Sequence, residues 1–217
     1  MMQQAYIIFV VISFLASLTI YSQQNTKIYL RLFPFFLLLT LIIELISYYL
    51  FVKEKKVTIT MLYNFFSLFE FLFYMYVIRE VIQSKLAKKI VFYTSGLYLL
   101  LVILNFLFIQ KITSFNSMTY ALGCLLIVAI CIYYFYELFQ LSHSVSLVRQ
   151  PSFWICSGLL FYYCCSFPIF GLLNFLKKGP TVIQNNFGTI ILLLNVFLYS
   201  SFTIAFLCRI RVRKSML

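Results

Sequence analysis

The sequence predicts an all-α, polytopic membrane protein: a bundle of seven transmembrane helices, N-terminus outside and C-terminus cytoplasmic. Three observations lead there. The chain of 217 residues is 64% hydrophobic and only 10% charged, too apolar for a water-soluble domain. Apolar runs of about 20 residues, the length that crosses a bilayer core, recur from one end to the other. The 17 lysines and arginines fall mostly in the breaks between those runs, where membrane proteins place them.

The first run, residues 5–22, has no basic residue before it and no small-residue cleavage pattern after it, so it reads as a retained helix rather than a signal peptide. Residues 32–52 form the second run, with Pro34 in its first turn, where proline is tolerated. Lys53-Glu-Lys-Lys56 closes it. The third run covers 57–78 and the fourth 90–109, separated by a basic stretch from Arg79 to Lys89. The fifth, 118–139, ends in a cluster of aromatic residues followed by the longest polar break, which contains His143. Pro151 opens the sixth, 153–176, as proline often opens helices. Lys177-Lys-Gly-Pro180 turns the chain into the seventh, 187–208, and Arg209 to Lys214 form a basic tail. One seven-span domain accounts for nearly the whole chain.

Seven spans put the two termini on opposite sides. Counted over alternate breaks, one side carries 11 basic residues and the other 6. The richer side is expected in the cytoplasm, which sets the orientation given above. A bacterial cytoplasmic membrane is the expected location.

Composition also excludes. A net charge of +12 would suggest nucleic acid in a soluble protein. Here the charge is dispersed between spans and points to anionic lipid instead. There is no aspartate, one histidine and five glutamates, so a Ser-His-Asp triad cannot be built, and intramembrane chemistry on paired aspartates is excluded. Cys124, Cys131, Cys156, Cys164, Cys165 and Cys208 lie in or beside apolar runs without a C-x-x-C pair. No metal site and no cofactor are expected. No lysine lies in the seventh run to carry a retinal Schiff base.

Function is sought in the polar residues at membrane depth. Glu70 sits near the middle of the third run, and Tyr63, Ser67, Glu70 and Tyr74 share one helical face. At 1.5 Å per residue, Glu44 lies roughly 12 Å from the outer end of its run and Glu70 roughly 20 Å. Asn64, Asn195 and Pro168 share about the depth of Glu44, and Tyr162 about that of Glu70. Intramembrane carboxylates are functional by default, and no span interior holds a lysine or arginine to pair with them. The expected ligand-binding residues are therefore Glu44, Glu70, Asn64, Ser67, Tyr63, Tyr162 and Asn195, with Pro168 as a hinge. Asn, Ser and Tyr at such depth also serve to join helices, which leaves a structural role open for those residues.

Two resemblances follow. The segment from Tyr120 to Phe139, then Pro151-Ser-Phe-Trp-Ile-Cys-Ser-Gly-Leu-Leu-Phe-Tyr-Tyr163, then Asn195 to the basic tail, resembles an uncharacterised bacterial family of small seven-span membrane proteins. Such modules are similar to the membrane input domains of sensor kinases, which implies signalling. Leu68-Phe-Glu-Phe-Leu-Phe73 is similar to a segment of membrane lycopene cyclases, except that Phe69 stands where that family has a second glutamate. The expected function is a non-enzymatic sensory or signal-transduction module. Its partners are membrane lipids and a separate signalling protein. The alternatives are a proton-coupled small-molecule transporter, an isoprenoid-modifying enzyme with Glu70 as its acid, and a structural subunit.

Overall fold

A computed structural model of the chain describes residues 5–22, 26–140, 147–171 and 181–214. Among them there are helices and turns and no strand. Helix α1 spans Ala5–Leu18 and tightens into a 3-10 turn, Thr19–Ser22. Then follow α2 (Ile28–Val52), α3 (Lys56–Val81), α4 (Lys85–Phe108), α5 (Ser117–Phe139), α6 (Pro151–Gly171) and α7 (Thr181–Lys214). Helices α2 to α7 are each long and apolar enough to cross a membrane, whereas the apolar helix Tyr6–Ser22 is shorter. The chain is a helical, multi-pass membrane protein.

Several helices are longer than their apolar runs. Backbone hydrogen bonding continues into the interfacial residues, so α2 starts at Ile28 rather than 32 and α4 at Lys85 rather than 90. This moves Pro34 out of the first turn and into the helix, where it has no N–H to offer Leu30. The expected sixth span runs past Gly171 to 176, outside the described residues, as do His143 and the 177–180 turn.

The junctions are specific. Between α2 and α3, Lys55 N–H donates to Leu50 and Glu54 N–H to Phe51, both at 3.0 Å. This closes the helix end with Glu54 in the left-handed region, at φ 55°. Ser84 caps α4 by accepting from Ala87 N–H at 3.3 Å. The Glu137 carboxylate of α5 accepts from the N–H groups of Gln83 and Ser84, at 2.6 and 2.8 Å. The end of α5 is thereby tied to the start of α4.

Packing closes a ring. Helix α1 lies against α2 and α7, α2 against α3, α3 against α5, α5 against α6, and α6 against α7. Helix α4 packs outside the ring, on α3 and α5. Phe33 of α2 is fully buried, with Phe73, Phe202 and Phe206 at 5.2 to 5.5 Å in edge-on contact. Helices α6 and α7 meet where Gly158 lies against Ser201; a Cβ on Gly158 would come within 2.8 Å of the Ser201 Cβ. Small residues permit such approach in membrane bundles. The outer faces carry Leu, Ile and Phe, as a lipid-facing surface requires.

A candidate carboxylate–tyrosine site

Inside the ring, Glu44 of α2 is held from two sides. Tyr6 of α1 donates its hydroxyl to Glu44 Oε2, and Tyr63 of α3 donates to the same oxygen at 3.0 Å. Ser47, one turn further along α2, is buried and close to Tyr63. The short helix α1 is thus fastened to the bundle through a carboxylate rather than by apolar contact alone.

Glu70 of α3 lies within electrostatic reach of Glu44. Around it stand Tyr74 of α3, Tyr162 and Tyr163 of α6, and Tyr199 of α7. Tyr199 is within reach of both carboxylates, so the two form one polar tract. Tyr74 and Tyr163 are fully buried, and their hydroxyls sit beside the Glu70 carboxylate without completing a hydrogen bond. Ser166 Oγ, next to Tyr162, is also buried and unpartnered. Glu70 itself keeps partial exposure.

Of the residues singled out from the sequence, Glu44, Tyr63, Glu70 and Tyr162 come together in this tract. Asn64 is engaged elsewhere. Its Nδ2 donates to the carbonyls of Ile112 and Ser114, at 2.9 and 2.8 Å, and its Oδ1 accepts from Asn116 N–H at 3.1 Å. It ties the α4–α5 connection to α3. Ser67 donates back to the Asn64 carbonyl at 3.1 Å, and Asn195 to the Ile191 carbonyl at 2.9 Å, each within its own helix. Pro168 lies inside α6 with its ring exposed, four residues past Cys164, whose carbonyl it cannot serve.

Tyr6, Tyr163, Tyr199 and Ser166 belong to the tract and were not among the expected site residues. Tyr199 carried a signal, because it falls one turn after Asn195 on the same face. For Tyr6 there was none: it meets Glu44 only because α1 closes the ring beside α2. The buried thiol of Cys124 on α5 lies within electrostatic reach of Glu70 and Tyr162, and among the described residues no group of three metal-binding side chains converges. Cys131 and Cys156, both buried, meet across the α5–α6 contact.

At the opposite end of the bundle lies a cleft of about 290 Å³. Lys27, Gln83, Glu137, Gln150 and Ser152 line it together with Tyr134, whose hydroxyl is 3.1 Å from that of Ser152. The basic ends of α2, α3 and α4 surround this face.

Comparison with protein-family models, with curated proteins and with solved structures finds no match. The fold and the polar tract must therefore carry the functional reading by their own chemistry.

Proposed function

We propose that this protein is a non-enzymatic sensory module of a bacterial cytoplasmic membrane, passing a signal from an intramembrane site to a separate output protein. In this reading α1 is a seventh span, the N-terminus is outside, and the basic end carrying the cleft faces the cytoplasm. The supporting observation is the polar tract itself. Its groups come from α1, α2, α3, α6 and α7, so anything that occupies or recharges it acts on most of the ring at once. An intramembrane carboxylate without a basic partner is a functional group by default. A carrier would be expected to show paired broken helices in its two halves, and the sequence has no internal repeat. The resemblance to sensor-kinase input modules agrees with this assignment.

The test is genetic and biochemical together. Cells lacking the protein should change the expression of a defined gene set. Wild type should restore it, and Glu70→Gln, present at equal level in the membrane, should not. Vesicles reconstituted with wild-type protein should show no proton or solute flux. Full complementation by Glu70→Gln would remove the sensory assignment, and flux at carrier rates would replace it with transport.

A further inference from the structure

The cleft at the other end of the bundle takes no part in the carboxylate–tyrosine tract. We propose that it binds a small zwitterion of the α-amino-acid class, with the ligand's carboxylate toward Lys27 and its ammonium group toward Glu137. This goes beyond the sensory reading. It places a second ligand site at the end of the ring away from Glu70, where the ligand is a cytoplasmic solute in the orientation given above.

The cleft holds about 290 Å³. Its walls come from the ends of α2, α3, α5 and α6, which follow one another around the ring. It therefore opens at the end of the bundle, to water, rather than between two helices onto lipid. Lys27 and Glu137 both line it, and among the described residues neither forms an ion pair. Opposite charges that share one cleft without touching leave room for a guest between them. Glu137 is fixed in position, because its two oxygens each accept one backbone N–H, from Gln83 at 2.6 Å and from Ser84 at 2.8 Å. A carboxylate has about four lone-pair sites, so each oxygen keeps capacity for a further donor. Lys27 occupies the N-cap of α2, where it makes no side-chain cap hydrogen bond. Its ammonium group and the positive end of that helix together favour an anionic group.

Size and lining select the ligand class. Small-molecule sites run from roughly 300 to 1,000 Å³, so this cleft has room for one amino acid and not for a nucleotide or a long peptide. One positive and one negative group match a ligand that carries both charges and is neutral overall. A simple anion would be set against Glu137 and a simple amine against Lys27, and juxtaposed like charges are unfavourable. Tyr134 and Ser152, with hydroxyls 3.1 Å apart, and the Gln150 amide can each donate and accept. Leu30 and Leu138, both buried, and Val81 give the lining an apolar part, which suits an aliphatic side chain.

The probe is L-leucine, titrated into full-length protein in detergent. The chain has one tryptophan, Trp154, just past Ser152 at the start of α6, where its indole N–H donates to the Val148 carbonyl at 2.9 Å. Its fluorescence is one readout and isothermal titration is the other. Wild type should show saturable binding. Leucine methyl ester lacks the carboxylate and isocaproate lacks the ammonium group. Each should bind about tenfold or more weakly, as expected when a charged hydrogen bond is lost. Lys27→Gln should weaken leucine by a similar factor, and the exposed Lys27 side chain can be changed without disturbing the core. Glu137 is probed from the ligand side, because its carboxylate also holds the start of α4. No response of wild type to leucine, valine or methionine would overturn the proposal. So would equal binding of the ester or of isocaproate, or undiminished binding in Lys27→Gln. Leucine binding lost in Glu70→Gln but kept in Lys27→Gln would move the site to the tract and overturn it as well. Failure of the sensory reading is separate, since it is read from complementation by Glu70→Gln and not from the cleft.

Discussion

Asn64 and Glu70 lie six residues apart on α3, and both are polar groups in an apolar setting. The Asn64 side chain donates two hydrogen bonds and accepts one, all to the α4–α5 connection, and is 2% exposed. Glu70 is partly exposed, and beside it stand two buried phenols, Tyr74 and Tyr163, whose hydroxyls are short of good hydrogen-bond geometry. Polarity at membrane depth is therefore not one property. A group whose bonding capacity is spent on the protein is a fastener. A group whose neighbours remain unsatisfied is a place for something else.

The largest effect should come from the fastener. Asn64→Leu removes three hydrogen bonds and strands two carbonyls and an N–H in the 112–116 segment. Each lost bond with a buried orphan costs about 1 kcal/mol or more, so the variant should lose about 3 kcal/mol. Denaturant or thermal unfolding in detergent measures it. Stability close to wild type would show that the loop holds itself without the amide.

Next is the wall behind the site. Gly158 precedes Tyr162 by one turn, and a methyl group there meets Ser201 at 2.8 Å. The contact is with the Cβ of a short side chain, so the helices themselves must separate. Gly158→Ala should cost about 1–3 kcal/mol, the usual range for overpacking. Combining it with Ser201→Gly should recover most of the loss, and no recovery would show that the contact with Ser201 is not what the methyl group disturbs.

A smaller effect is expected where the two kinds of group meet. Tyr6→Phe deletes one of two hydroxyls on Glu44 and should cost about 0.5–1.5 kcal/mol, the net worth of a typical hydrogen bond. Because this bond anchors the short helix, amide exchange in α1 should quicken more than in α2 or α3.

The sequence showed part of this contrast and hid the rest. Runs of apolar residues located α2 to α7 because hydropathy is a local property. Their ends were misplaced, since helices such as α2 and α4 continue through Tyr, Arg and Lys at the interface. The 3.6-residue period put Tyr63 and Glu70 on one face and aligned Glu44 with Ser47, and those faces do point inward. The order of helices around the ring is not encoded in run lengths, so Tyr6 and Tyr163 could not be assigned to either glutamate. Asn64 looked like a binding residue because a polar residue at depth has the same appearance whether or not a distant loop folds back onto it. Only the 112–116 segment distinguishes the cases, and it lies about 50 residues away in the chain.

The smallest stability change should come from Glu70→Gln, the substitution with the largest functional effect. The amide has nearly the shape of the carboxylate and no charge to compensate. The hydroxyls of Tyr74 and Tyr163 stand beside it, and an amide oxygen can accept from them as the carboxylate does. A carboxamide can also accept from one phenol while donating to another. Stability should therefore stay within about 0.5 kcal/mol of wild type or rise slightly, since sites carry groups that are unfavourable for folding. The matching test on Asn64 is the isosteric Asn64→Asp, which places a charge against two carbonyls and should destabilise strongly. If Glu70→Gln instead unfolded the protein as readily as Asn64→Leu, Glu70 would be a second fastener and the distinction drawn along α3 would disappear.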